Sequence, residues 1–490
     1  MSAATHIIRL QRIEAILNGP EPDGLALPGR LSALCRDVLP PALDRALQRF
    51  APAEGHLFIE RLEIDAGEVA LDRLEQELPE AVRIAVEKAV REVLEAWPAS
   101  DSEPISGGQS ASFRSDVVAS WEAFWYFLET GRLPWAYRLP TGLTWEDVAL
   151  QALATMEIHN ALPGYRIKIA RPAVRSRLVL QFSPAFLDKL TDSVAPDVAE
   201  AVRLVLAALR PHFPQGEWVL AERIVWENAL AQLAEGSAPP ASPSPERAPF
   251  APAVQLLAQS LVGMRRSCPD GESVLREAVR RRATEPWVAA AVEAVSAPRL
   301  AEAKTKAAAA AETLAEPVTD TELHELGLLL DHAGTVLLHP FLPQFFRALG
   351  VADGAALIQP DRSLHLLHFL ATGNTPAPEH ELTFAKILCG IPLGRPVEGH
   401  IELTDNEVAE SLHLLETVIR YWDALKGTSP DGLREAFLRR PGKLNPSDDG
   451  GWVLQMEKQT PDILLQQLPW GIGMVQLPWM PALLRVEWAE

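Results

Sequence analysis

The sequence predicts a mainly α, multi-domain, elongated chain with small α+β terminal domains and a flexible Pro/Ala-rich spacer. Three observations carry this expectation. Apolar residues recur at spacings of three and four along most of the chain, the mark of amphipathic helices. Two-residue alternation is confined to short stretches near the two ends. Between Gly236 and Pro252 stand Pro239, Pro240, Pro243, Pro245, Pro249 and Pro252, a spacing that favours an extended linker. The resulting organisation is an α+β domain over 1–99, a helical domain over 113–235, a spacer over 236–319 and a mostly helical α+β domain over 320–490.

In the first domain, Ile8, Leu10 and Ile13 predict a strand over His6–Leu17. Leu27, Leu31, Leu34, Val38, Leu39, Leu43 and Leu47 predict a helix from Pro28 to Phe50, broken at Pro40-Pro41. Leu57, Ile59, Leu62 and Ile64 predict a second strand over His56–Asp65, with a slip in register after Ile59. A second helix follows over Leu71–Trp97. The open sheet edge of such a β-α-β-α unit offers a place for another subunit.

After a Ser/Gly linker, the second domain reads as helices at Trp121–Thr130, Thr144–Ile158, Pro172–Leu190, Pro196–Leu209 and Trp218–Leu233. Gly131 is placed to end the first of these, with Pro134 preventing its continuation. Residues 253–316 are Ala-rich and helix-favouring but bury little. The last domain carries helices at Asp320–Leu330, Pro340–Leu349, Asp361–Ala371, Glu379–Leu388, Thr404–Lys426 and Pro430–Arg439. Thr404 and Glu407 form a capping-box pattern. Alternation at Gly451–Lys458, Gly471–Leu477 and Leu484–Trp488 predicts a closing sheet.

Composition narrows the function. The 490 residues carry a formal net charge of -20, which disfavours nucleic acid and anionic membrane surfaces as partners. The 3 cysteines, Cys35, Cys268 and Cys389, form no CxxC, so neither a disulfide framework nor a cysteine zinc site is expected. No signal peptide and no membrane-spanning helix are expected. His365 and His368 lie one turn apart, with His380 and Glu381 downstream and His324-Glu325 and Asp331-His332 upstream. They match no metal-ligand spacing, and in the apolar run Leu364–Leu370 a packing role is favoured. Neither GxSxG nor GxxxxGK[ST] occurs, so no enzyme activity, cofactor or metal is expected. The 13 tryptophans are more informative, because several stand in constrained frames. Leu468-Pro469-Trp470 and Leu477-Pro478-Trp479 repeat one motif, and Trp121, Trp125 and Trp135 cluster near Gly131. Core packing is the favoured role, and aromatic docking is the alternative.

Several segments, in one order, resemble the tape measure proteins of extracellular contractile injection systems. At the amino end these are His6–Arg9, Leu31–Asp37, Ile59–Asp65 and Trp121–Gly131 with Arg132-Leu133-Pro134-Trp135. Further on they are Glu325–Gly334, Leu338–Pro343, Leu366–Gly373, Glu379–Leu382 and Lys386–Gly390. Leu425–Arg434, Arg440–Leu444 and Leu468–Gly471 complete the set. The resemblance implies a non-enzymatic structural protein in the lumen of the inner tube, setting tube length alongside inner tube and baseplate proteins. It further implies cytoplasmic assembly, residence in the released particle and self-association. An assembly chaperone or adaptor without a ruler role is the alternative. Length bears on the choice: as one helix, the 84 residues of 236–319 would span only about 125 Å.

Overall fold

The computed structural model describes residues 6–8, 10–52, 55–95, 111–140, 142–155, 158–235, 251–267, 287–288, 291, 327–447 and 449–488. They fall into two compact units, 1–122 with 135–139, and 123–134 with 140–490.

In the first unit, α1 (Glu21–Asp37) and α2 (Leu39–Gln48) meet at Val38. Pro40 and Pro41 occupy the first turn of α2, where their missing N–H groups cost no helical bond. A 3₁₀ turn at Leu71–Arg73 leads into α3 (Leu74–Glu95). Leu34, Leu39, Leu43 and Ala46 pack against Leu74, Leu78, Val82, Val86 and Val90, the stripes that the spacing predicts. The strand expected over His6–Leu17 does not form, and the described residues there carry no regular element. Instead β1 (His56–Ile59) pairs antiparallel with β2 (Ala111–Arg114), which begins within the end of the linker expected over Ser100–Ser112. Alternation at residues 6–10 provides a strand pattern but no pairing partner, and an unpaired strand leaves its backbone groups unsatisfied by a ladder. The second predicted strand stops at Ile59, where its alternation slips.

α4 (Asp116–Thr130) contains the unit division. Gly131 follows it at φ +76°, and its N–H donates to Phe127 O at 2.7 Å, ending the helix as predicted. In the second unit come α5 (Trp145–Thr155), α6 (Ile158–Ile169), α7 (Pro172–Gln181), α8 (Pro184–Val194), α9 (Pro196–Leu209) and α10 (Gln215–Glu235). The single helix expected over Pro172–Leu190 is two, because Ser183 caps α8 by accepting from the Phe186 N–H at 3.2 Å, and Pro184 starts it. Within the predicted spacer, α11 (Ala251–Ser267) packs against α9 and α10 and buries Leu256, Leu257, Leu261 and Met264. Most of the remaining spacer residues lie outside the described ones.

The C-terminal part is built on one large core. A five-stranded sheet has the order β3 (Leu328–Leu330), β6 (Gly442–Pro446), β7 (Trp452–Met456), β9 (Leu484–Glu487), β8 (Met474–Val475), parallel only between β7 and β9. β4 (Ala352–Asp353) and β5 (Ala356–Leu357) make a separate ladder. Leu328–Leu330, expected to close a helix over Asp320–Leu330, is a strand instead, bracketed by Gly327 at φ +68° and His332 at φ +58°, and residues 320–326 lie outside the described ones. Around the sheet lie α12 (Leu342–Ala348), α13 (Pro360–Thr372), α14 (Thr383–Leu388) and α15 (Asp405–Tyr421). The Thr404–Glu407 capping box forms as predicted. α13 is buried from Ser363 to Thr372 on all faces, so even its histidines must find partners inside.

Candidate functional site

The most built polar site lies within the second unit, where α7 meets the 3₁₀ turn Glu379–Glu381 and α14. Arg177 and Gln181 are one turn apart on α7 and project from the same face. The Arg177 guanidinium is fully buried. Its Nε donates to Glu379 Oε2 at 2.8 Å, Nη2 donates to Glu379 Oε1 at 3.1 Å and to Gly394 O at 2.9 Å, and Nη1 donates to Leu128 O. Lys386, also buried, gives its three protons to Glu379 Oε1 at 2.7 Å, Arg395 O at 2.8 Å and Leu393 O at 3.0 Å. Burial pulls the Lys386 ammonium below its ordinary range, and the adjacent Glu379 carboxylate opposes this without cancelling it. Two cations and one anion share the site, and four carbonyl dipoles supply the remaining negative field.

Backbone contacts extend the seam. The Glu379 N–H donates to Gln181 Oε1 at 3.0 Å, Gln181 Nε2 donates to Val397 O at 2.8 Å, and the Gly399 N–H donates to Leu180 O at 3.0 Å. Arg223 of α10 pairs with Glu398. Gly131 has a second role here, since a Cβ on it would overlap Glu379 Oε1. The site therefore needs a residue that both accepts positive φ and leaves room for a carboxylate.

Beside the ion cluster stands an aromatic box. Phe127 stacks on Trp145 with centroids 5.5 Å apart, and His380 meets both rings edge-on at 6.0 and 6.1 Å. Trp145 Nε1 donates to His380 Nδ1 at 3.3 Å. His368 Nε2 lies 2.9 Å from Glu381 Oε2, and His365 Nε2 lies 2.6 Å from Glu398 O. Burial lowers the affinity of His332, His365 and His380 for protons. Burial alone would raise the Glu381 pKa, but the His368 hydrogen bond and the neighbouring histidine fields outweigh it, and the net shift is downward. Among the described residues, no group of three or more His, Cys, Asp and Glu side chains is placed to hold a metal ion. His324 and Glu325 lie outside the described residues.

The five tryptophans singled out in the sequence are dispersed. Trp121 and Trp125 are almost wholly buried, and Trp125 stacks on Tyr165 at 5.0 Å. Trp135, in the first unit, packs near Phe58 at 6.0 Å. Trp470 and Trp479 are half-buried, each with its indole N–H turned inward. Trp470 Nε1 donates to Leu337 O at 3.1 Å and Trp479 Nε1 to Leu388 O at 2.8 Å. Both carbonyls end helical turns and would otherwise lack partners. Gly390 matters here too, since a Cβ on it would lie 2.6 Å from Trp479 O.

Sequence reading passed over Arg177, Gln181, Trp145 and Lys386. A signal was present: Arg177 stands among Val174, Leu178 and Val179, and Lys386 interrupts Phe384–Leu388. A cation inside an apolar stripe requires a buried acceptor, and Glu379 is that acceptor.

This seam joins segments far apart in the chain through fixed partners, as in a structural protein. The sequence matches the family model of contractile injection system tape measure proteins over residues 5–488. The chain belongs to that family, whose role is structural and lies in assembly of the particle. No curated protein and no solved structure matches it. Many of the segments that carry the resemblance meet one another in the fold. Trp121–Gly131, Glu379–Leu382 and Lys386–Gly390 converge at Glu379, and Leu468–Gly471 meets Leu338–Pro343 where Trp470 packs edge-on against Phe341 at 5.1 Å. No helix among the described residues is long and apolar enough to cross a membrane.

Proposed function

We propose that this chain acts as the tape measure of a phage-tail-like contractile injection particle. It occupies the lumen of the inner tube during polymerisation, contacts inner tube and baseplate proteins, associates with further copies of itself, and sets tube length. Assembly takes place in the cytoplasm and the protein is retained in the released particle. The observation that carries this reading is the family match across nearly the whole chain. Trp470, Trp479 and Trp135, which are not fully buried, are the tryptophans best placed to contribute to partner docking.

A second reading has its own support. α11 occupies 17 residues of the interval proposed to measure length and packs on α9 and α10. This leaves less chain to span a tube and favours an assembly chaperone or adaptor without a ruler role. Deleting residues 292–319 separates the two readings. A ruler predicts tubes shorter by about 42 Å if those 28 residues are helical, or about 90 Å if extended. Tubes of unchanged length by electron microscopy would exclude this interval as the measuring element. Absence of the chain from purified particles would favour the chaperone.

A further inference from the structure

Four histidines converge near the seam, and three have a ring nitrogen that cannot readily accept a proton. The indole N–H of Trp145 only donates, so His380 Nδ1, 3.3 Å away, must be a bare acceptor. His365 uses Nε2 to donate to Glu398 O at 2.6 Å, while its Nδ1 is buried without a partner. His332 Nδ1 is likewise buried without a partner. His368 lies 2.9 Å from Glu381 at Nε2 and 3.4 Å from the Thr372 hydroxyl at Nδ1, and its ring meets His332 edge-on at 5.7 Å.

The surrounding charges come from every packed element. The 3₁₀ turn supplies Glu379 and Glu381, the turn before Ala333 supplies Asp331, and α13 supplies Asp361 and the two histidines His365 and His368. Arg177 lies on α7, Lys386 on α14, Arg439 after the π turn Arg434–Leu438, and Glu398 in the loop facing α10, where Arg223 pairs with it. Glu381 is the carboxylate nearest the cluster, with His368 at 2.9 Å and His380 at 3.9 Å. The two rings face different oxygens, Oε2 toward His368 and Oε1 toward His380.

We propose that this cluster makes the seam acid-releasable. A proton arriving at His380 Nδ1 sets two donors against each other and breaks the Trp145 link, while a proton on Nδ1 of His332 or His365 creates a buried donor with no acceptor. The region that opens is the contact of α5 and α7 with residues 379–400. The inference holds for any assembly role of the chain. The sign follows from burial, which lowers proton affinity in the folded state. The unfolded chain therefore binds more protons below about pH 6.5, the ordinary histidine value. Seam stability is full above that pH and is lost as pH falls below it. Each of the three histidines adds up to about a tenfold rise in the opening constant per pH unit.

Hydrogen exchange of the full-length protein at pH 7.5 and 5.5, corrected for intrinsic rates, tests this. Peptides covering 145–155, 172–181 and 379–400 are expected to lose at least tenfold protection at pH 5.5, while 74–95 keeps its protection. His380→Gln retains an amide acceptor for Trp145 but does not titrate, and should lose part of the acid response. His332→Asn suits the left-handed backbone at φ +58° and provides a second non-titrating variant. Equal seam protection at both pH values would overturn the proposal. So would an acid response in His332→Asn and in His380→Gln as large as that of the unaltered protein.

Discussion

Both units contain arginine–glutamate networks, one partly open to water and one wholly buried. On α3, Arg83 bonds Glu80 and Glu87, and Arg49 reaches Glu87 at 2.6 Å; Glu87 is buried, but Glu80 and Arg49 are open to water. In the second unit, Arg177, Glu379 and Lys386 make the same chemistry with almost no exposure. The Glu80 pairing fixes little, because water would serve that exposed carboxylate nearly as well. The buried network specifies one arrangement, because no alternative packing supplies three acceptors to Lys386 and a matching carboxylate to Arg177. Its net worth over an apolar core is small. What is large is the cost of breaking it.

The largest expected effect follows from that difference. Glu379→Gln leaves two cations buried without their carboxylate and should cost about 3–5 kcal/mol in urea unfolding. Glu80→Gln should leave the urea midpoint unchanged. A comparable loss from both substitutions would remove the distinction between the two networks.

Two glycines sharpen the comparison. Gly67 and Gly131 have φ of +73° and +76°, but a Cβ on Gly67 meets nothing within 4 Å, whereas one on Gly131 overlaps Glu379. Gly67→Ala should cost about 1–2 kcal/mol from backbone conformation alone. Gly131→Ala should cost more and should perturb the Arg177 pairing. Equal melting shifts would show that Gly131 serves only as a helix end.

A smaller effect is expected at Trp479. Trp479→Phe keeps most of the packing against Phe346, 5.4 Å away, and removes the bond to Leu388 O. The expected loss is about 1 kcal/mol, read from the urea midpoint. The least disruptive probe is the pair of thiols. Burial raises Cys35 above its ordinary range, and complete burial pushes Cys389 up to about 12. In a Cys268→Ser background, a thiol reagent at pH 8 should label the part-exposed Cys35 slowly and Cys389 only after unfolding.

The parts of the fold legible in the sequence were those set by local chemistry. The α2–α3 stripes, the Gly131 helix end, the Thr404 capping box and the closing strands follow from spacing and turn residues. The failures occurred where a distant partner decided the outcome. Residues 6–17 alternate like a strand but have no ladder to join, whereas His56–Ile59 finds one at Ala111–Arg114. Leu328–Leu330 continues a helical spacing and is captured as an edge strand by β6. The seam was illegible for the same reason, since Arg177 and Glu379 lie 202 residues apart. The tryptophans marked in the sequence were visible by composition, but the directions of the Trp470 and Trp479 indole N–H groups depend on carbonyls that only the fold brings close.

Arg177, Glu379 and Lys386 hold α7 to the 379–400 segment as a fully paired set, and a charge left without its partner is what destabilises this seam. The most direct test compares Glu379→Gln with the triple replacement Arg177→Met, Glu379→Leu, Lys386→Met by urea unfolding of the full chain. If unpaired charge is what destabilises the single variant, the triple replacement removes that charge and recovers most of the lost stability. A triple variant no more stable than Glu379→Gln, or a Glu379→Gln variant as stable as the unaltered protein, would contradict the account.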